Sequence, residues 1–120
     1  MTKSILVVDD TRSMRKMVAG VLVGAGYEVA EAGDGVEALE LAQTRQFDLV
    51  VTDHNMPRMD GVTLVRSLRE LEPYDDIALI VLSTEVDPAL KQKGREAGAT
   101  GWIAKPFDPE RMLDIVAKFI

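Results

Sequence analysis

Short apolar runs alternate with longer segments of helical period along the whole chain. The runs are rich in Val, Ile and Leu and have the length of buried strands, as in residues 5–8 and 77–82. Between them, apolar residues recur every three or four positions, which is the period of an amphipathic helix. Five segments of each kind alternate in the 120 residues. This pattern is typical of βα units around a parallel sheet, and it predicts an α/β fold in one domain.

The predicted strands differ in how far they should be covered. Residues 47–53 and 77–82 are almost continuously apolar, so we expect central strands with helices on both faces. Residues 27–31 alternate apolar and polar side chains, which indicates an edge strand with one solvated face. The fifth strand is predicted to begin at Trp102, whose side chain we expect to be half-buried at the sheet edge.

The predicted helices are recognised by their first residues and their apolar stripes. Asp34, Asp87 and Asp108 are predicted N-caps, the last two being followed by proline. The fourth helix carries few apolar residues, so it should dock weakly and be mobile. The first helix, residues 12–25, and the third helix are predicted to bury one stripe each: Met14, Met17, Val18, Val21 and Leu22 in the first, and Leu64, Val65, Leu68 and Leu71 in the third.

Composition excludes several classes of function. The net charge of −6 and the pI of about 4.7 disfavour binding to nucleic acid or to anionic membranes. The chain has no cysteine, so disulfides and thiol catalysis are excluded. The N-terminal apolar run is too short for a signal peptide or a membrane span, and we therefore expect a cytoplasmic protein.

Charged residues follow three of the predicted strands. Asp9 and Asp10 come after the first strand, Asp53 ends the third and Lys105 follows the fifth. Carboxyl ends of parallel strands meet at one sheet edge, where ligands bind in open α/β folds. Clustered carboxylates with no nearby His or Cys group favour Mg²⁺, or Mn²⁺ in its place. The alternative is that Asp9 and Asp10 only cap the first helix, and the pair alone does not decide between these interpretations.

The same groups suit phosphoryl chemistry. A carboxylate such as that of Asp53 can act as a nucleophile toward phosphorus when a metal ion and a lysine neutralise the transferring group. Ser83, at the same edge, could donate a hydrogen bond from its hydroxyl group to a phosphoryl oxygen. Taken singly, Lys105 is more often a solvated lysine and Ser83 more often bonds local backbone. His54 is interpreted as incidental, because one imidazole among hard oxygens seldom binds a metal.

Four motifs together resemble the receiver domain of two-component response regulators, over the whole chain. The resemblance implies a flavodoxin-like (βα)5 fold, a doubly wound five-stranded parallel sheet of order 2-1-3-4-5. The motifs are Val7-Val8-Asp9-Asp10, Thr52 to Gly61, Leu82-Ser83 and Lys105-Pro106-Phe107.

The resemblance also implies a role for each site residue. Asp53 corresponds to the phosphorylated aspartate and Asp10 to a direct Mg²⁺ ligand. Asp9 corresponds to an acid that contacts the Mg²⁺ ion through a water molecule. Asn55 corresponds to a backbone-carbonyl ligand, and Lys105 to the phosphate-binding lysine, whose bond to the following proline is expected to be cis.

Other positions correspond to the family's switch. Ser83 matches the switch hydroxyl and Trp102 the switch aromatic, although Trp102 is bulkier than the usual Tyr or Phe. Phosphorylation would then change the surface formed by helix four, strand five and helix five. Asn55 and Glu85 occupy positions that tune dephosphorylation, as in stand-alone receivers of the chemotaxis type.

The predicted function is a signalling switch, not an enzyme beyond assisting its own phosphorylation and autodephosphorylation. Expected partners are a histidine kinase, a target protein such as a flagellar switch component, and a phosphatase. We expect a monomer, residues 1–120 forming a single receiver domain without an output domain. One alternative is a phosphorelay intermediate or phosphate sink. Another is an aspartate-dependent phosphatase, but such an enzyme needs an acid where this chain has Asn55.

Overall fold

The structure is a computed structural model that describes residues 2–120. In that range, five strands and five α-helices alternate along the chain. The strands are β1 (Ser4–Val8), β2 (Glu28–Ala32), β3 (Leu49–Asp53), β4 (Ala78–Ser83) and β5 (Gly101–Ala104). The helices are α1 (Arg12–Gly24), α2 (Gly35–Thr44), α3 (Gly61–Arg69), α4 (Pro88–Ala97) and α5 (Pro109–Phe119), and a short 3-10 helix, Glu72–Tyr74, follows α3.

The strands form one parallel sheet in the order β2-β1-β3-β4-β5. Every residue of β1, β3 and β4 is buried, because helices cover both faces of these inner strands. The two edge strands, β2 and β5, mix buried and exposed residues. The predicted fold class, flavodoxin-like and doubly wound with this strand order, is confirmed.

Alternate residues of each strand belong to two separate apolar layers, one on each face of the sheet. Leu6, Val50 and Leu79 point to the face covered by α2, α3 and α4. Their neighbours Ile5 and Leu49 point to the face covered by α1 and α5. The period of two therefore divides the core into two layers, with the sheet between them.

The predicted stripe of α1 contains one error. Val18 and Leu22 are buried, but Met17 is 56% exposed, and Ala19 is buried instead. At about 100° per residue, Met17 lies about 140° around the helix from the fully buried Leu22, whereas Ala19 lies only about 60° from it. The sheet contacts the Val18 and Ala19 side of the helix and leaves Met17 on the flank.

Some predicted boundaries were also wrong. Phe47 is fully buried but precedes β3, which begins at Leu49, and Ile77 likewise precedes β4. Leu71 packs against the core from beyond the end of α3, at the start of the 3-10 helix. β2 begins one residue later than predicted, and α1 ends at Gly24. Phe47, Leu71 and Ile77 are buried or half-buried although they lie outside the hydrogen-bonded elements, so apolar content misplaced those three ends.

The predicted N-caps are confirmed. Asp34 accepts a hydrogen bond from Glu37 N at 2.8 Å, Asp87 from Ala89 N at 2.9 Å and Asp108 from Glu110 N at 3.0 Å. Each carboxylate satisfies an amide in the first helical turn that has no partner within its helix. The described helices all lack the length and apolar character that crossing a bilayer requires.

Candidate functional site

Four charged residues meet at the carboxyl edge of the sheet. The carboxylates of Asp9, Asp10 and Asp53 each have an oxygen within 4.8 Å of the others. The Lys105 ammonium lies 3.0 Å from Asp53 Oδ1 and 3.4 Å from Asp9 Oδ2. The structure therefore brings together the groups that follow three separate strands, as the parallel sheet predicted.

The two adjacent aspartates have different surroundings. Asp9 is 2% exposed, and its Oδ1 accepts a hydrogen bond from Thr11 N at 2.9 Å. Its backbone N donates a hydrogen bond to Ala32 O at 3.1 Å, and its backbone O accepts one from Arg15 Nη1 at 2.8 Å. Asp10 is exposed. One oxygen of Asp9 thus bonds the backbone of Thr11, the N-cap of α1, without capping an amide of the helix itself, while its other oxygen faces Lys105.

Burial raises the pKa of the Asp53 carboxyl above its usual range. The Lys105 ammonium opposes this effect, and the negative charge of Asp9 adds to it. A carboxylate that is removed from water next to a second carboxylate is disfavoured in its ionised form. A divalent cation at this edge would relieve that cost by neutralising the crowded negative charge.

The donor set at this edge fits Mg²⁺ or Mn²⁺. It consists of oxygens from Asp9, Asp10 and Asp53, close enough to share one ion, and oxygen is the ligand that these hard cations prefer. Asn55 lies two residues after Asp53, in the loop that follows β3, and its backbone carbonyl is the fourth ligand that the resemblance implied.

The start of α3 lies very close to the backbone of Asp53. Gly61 N donates a hydrogen bond to His54 O at 2.9 Å. A Cβ atom at position 61 would lie 2.9 Å from His54 Cα and closer still to the Asp53 carbonyl. Only glycine permits this approach, so Gly61 determines where the helix begins relative to Asp53. The Asp60 side chain caps the same turn through Thr63 N at 2.8 Å.

The loop between β3 and α3 is also tied to α2. Arg58 has a positive φ of 68°, and its guanidinium forms an ion pair with Asp34, the N-cap of α2. The backbone of Gly35 approaches Met59 so closely that a Cβ atom would lie 2.9 Å from that side chain. No periodic pattern in residues 56–61 predicts these contacts, because they form only when the loop packs against α2.

Ser83 is fully buried at the end of β4, next to β3. Its hydroxyl oxygen accepts a hydrogen bond from Glu85 N at 3.0 Å, and its carbonyl accepts from Lys105 N at 2.9 Å. The local backbone bond is the one expected of a serine at a strand end. The hydroxyl proton remains available for another acceptor. The peptide bond between Lys105 and Pro106 is cis, as predicted.

Trp102 is half-buried on β5, as expected. Its Nε1 donates a hydrogen bond to the Glu85 carbonyl at 3.0 Å, and its ring centroid lies 6.0 Å from that of His54. His54 is 7% exposed, and its buried Nδ1 has no hydrogen-bond partner within residues 2–120. Nothing in the sequence indicates this nearness to Trp102, because only packing brings the two rings together.

Known proteins with similar sequences and structures define the family. A family model described as the response regulator receiver domain matches residues 5–117. The chemotaxis protein CheY of Thermotoga maritima is 36% identical over 119 residues, which cover 98% of each chain. The structure of the chemotaxis protein CheY4 of Vibrio cholerae is 42% identical and superposes with a TM-score of 0.96 over 100% of both chains.

Some relatives are longer proteins. The response regulator MprA of a Mycobacterium species is 41% identical over 109 residues, which cover 91% of this chain and 46% of MprA. The same fold therefore occurs alone and as part of larger regulators. The match spans nearly all of this chain, and the order of the strands agrees with it. The chain belongs to the response regulator receiver domains, the regulatory modules of two-component systems.

Proposed function

We propose that this protein is a signalling switch that is turned on when a histidine kinase transfers a phosphoryl group to Asp53. The observation that carries the proposal is the position of the Asp53 carboxylate. It shares a cluster with Asp9 and Asp10, and it lies 3.0 Å from the Lys105 ammonium. That combination supplies a nucleophile, a divalent-cation site and a counter-charge for phosphoryl oxygens.

In the proposed reaction, a carboxylate oxygen of Asp53 forms a bond to phosphorus. The bond between phosphorus and the kinase's histidine nitrogen breaks, and its electron pair returns to the imidazole. Receiver domains bind Mg²⁺ in their active site, and the ion, when bound, would neutralise charge on the phosphoryl oxygens. Asp9, Asp10 and Asp53 would hold it together with the Asn55 carbonyl. Lys105 would bind a phosphoryl oxygen as a compact point charge.

The proposed output is a change in the surface formed by α4, β5 and α5. Ser83 would donate its hydroxyl proton to the phosphoryl group, and Trp102 would report the change to the surface. Asn55 and Glu85, both exposed, would influence how quickly water removes the phosphoryl group. The matches to CheY proteins support chemotaxis, with a CheA-like kinase as donor and a flagellar switch component as target. A separate phosphatase would shorten the signal.

Phosphorylation can be tested with acetyl phosphate and Mg²⁺. Intact-mass measurement should show one added phosphoryl group in the wild type and in Asp114→Asn, which alters an exposed aspartate on α5. Asp53→Asn should show none, and Asp10→Ala should need more Mg²⁺ for the same labelling. An unlabelled wild type, or labelling that persists in Asp53→Asn, would contradict the proposal.

A second measurement distinguishes a switch from a phosphatase. The aspartyl phosphate of a switch should form once and decay, with no continued release of phosphate from phosphoesters. Beryllofluoride with Mg²⁺ should change the fluorescence of Trp102, which is the only tryptophan in the chain. Sustained turnover of phosphoesters would favour the phosphatase alternative.

A further inference from the structure

Helix α4 contacts the rest of the protein through unusually small residues. Its buried residues are Gly94 and Ala97, and Leu90 is half-buried. A Cβ atom at position 94 would lie 2.8 Å from Cζ3 and 3.2 Å from Cε3 of Trp102. Carbon atoms in favourable contact are about 3.5–4.0 Å apart. The indole ring therefore occupies the space that any side chain at position 94 would need.

The indole ring is held in this place by contacts on its other sides. Its Nε1 donates to the Glu85 carbonyl in the loop that precedes α4. The His54 ring lies at a tilted angle of 44° to the indole ring, and the Trp102 backbone pairs with Val81 of β4. Because the bicyclic ring is rigid, it cannot make room for a side chain at position 94 by bending. It must swing, and swinging disturbs the bond to Glu85.

The C-terminal end of α4 is fixed independently of Trp102. Arg69, at the end of α3, donates to the Gly98 carbonyl from Nε at 3.0 Å and from Nη2 at 2.8 Å. Its Nη1 donates to the carbonyls of Tyr74 and Ile77. These bonds join the end of α3, the segment between α3 and β4, and the end of α4. The contact between Gly94 and Trp102 is therefore a separate attachment point nearer the middle of the helix.

We propose that Gly94 is a positioning residue that couples the orientation of Trp102 to the docking of α4. The absence of a side chain at position 94 creates a notch on the inner face of α4, and the indole ring fills it. If the ring leaves the notch, α4 loses this contact, and if the notch is filled, the ring is displaced. This proposal rests on the proposed function only in assigning the coupling to signalling. The coupling itself exists without phosphorylation.

Tryptophan fluorescence tests the displacement of the ring directly. Gly94→Ala should shift Trp102 emission to longer wavelength and increase quenching by acrylamide, because the ring moves toward water. The matched control is Gly20→Ala, a helical glycine of α1 where an added Cβ meets nothing within 4 Å. Both substitutions increase helix propensity, so the effect of propensity cancels when the two variants are compared. Identical spectra for Gly94→Ala and the wild type would overturn the proposal.

A double-mutant cycle tests whether the effect acts through the indole ring. In a Trp102→Leu background, the atoms that crowd position 94 are gone. Gly94→Ala should therefore raise the urea midpoint more, or lower it less, in that background than in the wild type. Gly20→Ala should have equal effects in both backgrounds. Equal effects of Gly94→Ala in the two backgrounds would also overturn the coupling.

These experiments fail separately from the proposed function, because none of them uses a phosphoryl group or its mimic. A wild-type protein that neither reacts with acetyl phosphate nor responds to beryllofluoride would contradict the proposed switch. The fluorescence and urea results of the variants would still decide the coupling between positions 94 and 102. Conversely, labelling of Asp53 with no coupling between positions 94 and 102 would preserve the switch and overturn the role of Gly94.

Discussion

Helices α3 and α4 pack on the same face of the sheet, yet they are held in different ways. Five residues of α3 are buried, including Leu64, Val65 and Leu68, and its first residue lies against the Asp53 backbone. Of α4, only Gly94 and Ala97 are buried. The candidate site lies at the carboxyl edge of the same sheet, where Asp53 ends β3 and Lys105 follows β5. This difference indicates a fixed frame around Asp53, formed by β3 and α3, and a shallowly docked helix, α4, next to α3.

The largest expected difference between the two helices is in their leucines. Leu68→Ala should lower the free energy of unfolding by about 2–5 kcal/mol, because Leu68 is fully buried and the substitution leaves a cavity. The matched change Leu90→Ala should cost about 1 kcal/mol, since that side chain is half-buried. Urea unfolding of the two variants measures both values. Equal losses of unfolding free energy in the two variants would contradict the expected difference between α3 and α4.

The glycines of the two helices provide a second test. Gly61→Ala should lower the free energy of unfolding by about 1–3 kcal/mol, because its Cβ would meet the backbone of Asp53 and His54. Gly94→Ala should cost less, since its obstacle is a side chain that can swing. Thermal unfolding measures this, with Gly20→Ala as the unobstructed control. Gly61→Ala should also slow labelling of Asp53, and a larger loss for Gly94→Ala would reverse the expected order.

Magnesium should act on the frame more than on α4. At a concentration 100 times its Kd, Mg²⁺ should add about 2.7 kcal/mol to the free energy of unfolding. Asp53→Asn should weaken this gain, because one ligand is lost. Hydrogen exchange should slow for amides of β1 and β3, whose ends carry the carboxylates. Amides of α4 that exchange by local opening should be unaffected, and equal slowing in α4 would indicate a tightly coupled helix.

The smallest expected effect concerns the cap of α3. Burial tends to raise the pKa of Asp60, but hydrogen bonds from Thr63 outweigh it and leave the pKa below its usual range. The stabilisation by this carboxylate is therefore present above the unfolded-state pKa of about 3.9 and is lost as the pH falls through the lower folded-state value.

Asp60→Ala should accordingly cost about 1 kcal/mol at neutral pH, and the cost should shrink in acid. Asp60→Asn is the control, because asparagine also caps helices but does not titrate. Chemical unfolding across the acid range measures the difference between the two variants. A cost for Asp60→Ala that stays constant down to pH 2, against the lowered pKa, would show that the cap does not depend on charge.

Most of the fold and the positions of the charged site residues could be predicted from the sequence. The period of two in strands, the period of 3.6 in helices and the aspartate N-caps are local properties of the chain. They placed Asp53 and Lys105 at strand ends, and parallel pairing brought those ends together. The errors arose where buried residues extend beyond the hydrogen-bonded element, as at Phe47 and Leu71, or where the buried stripe of a helix was centred on the wrong side, as at Met17.

The order of elements, the layered core and the residues available for phosphoryl chemistry therefore follow from local patterns in the amino-acid sequence. Packing in three dimensions, by contrast, buries Asp9 and leaves its neighbour Asp10 exposed. It also places Trp102 in the notch at Gly94. The physical reason is that periodicity specifies which face of an element is apolar. The depth at which two elements meet depends instead on the shapes of side chains that only packing brings into contact.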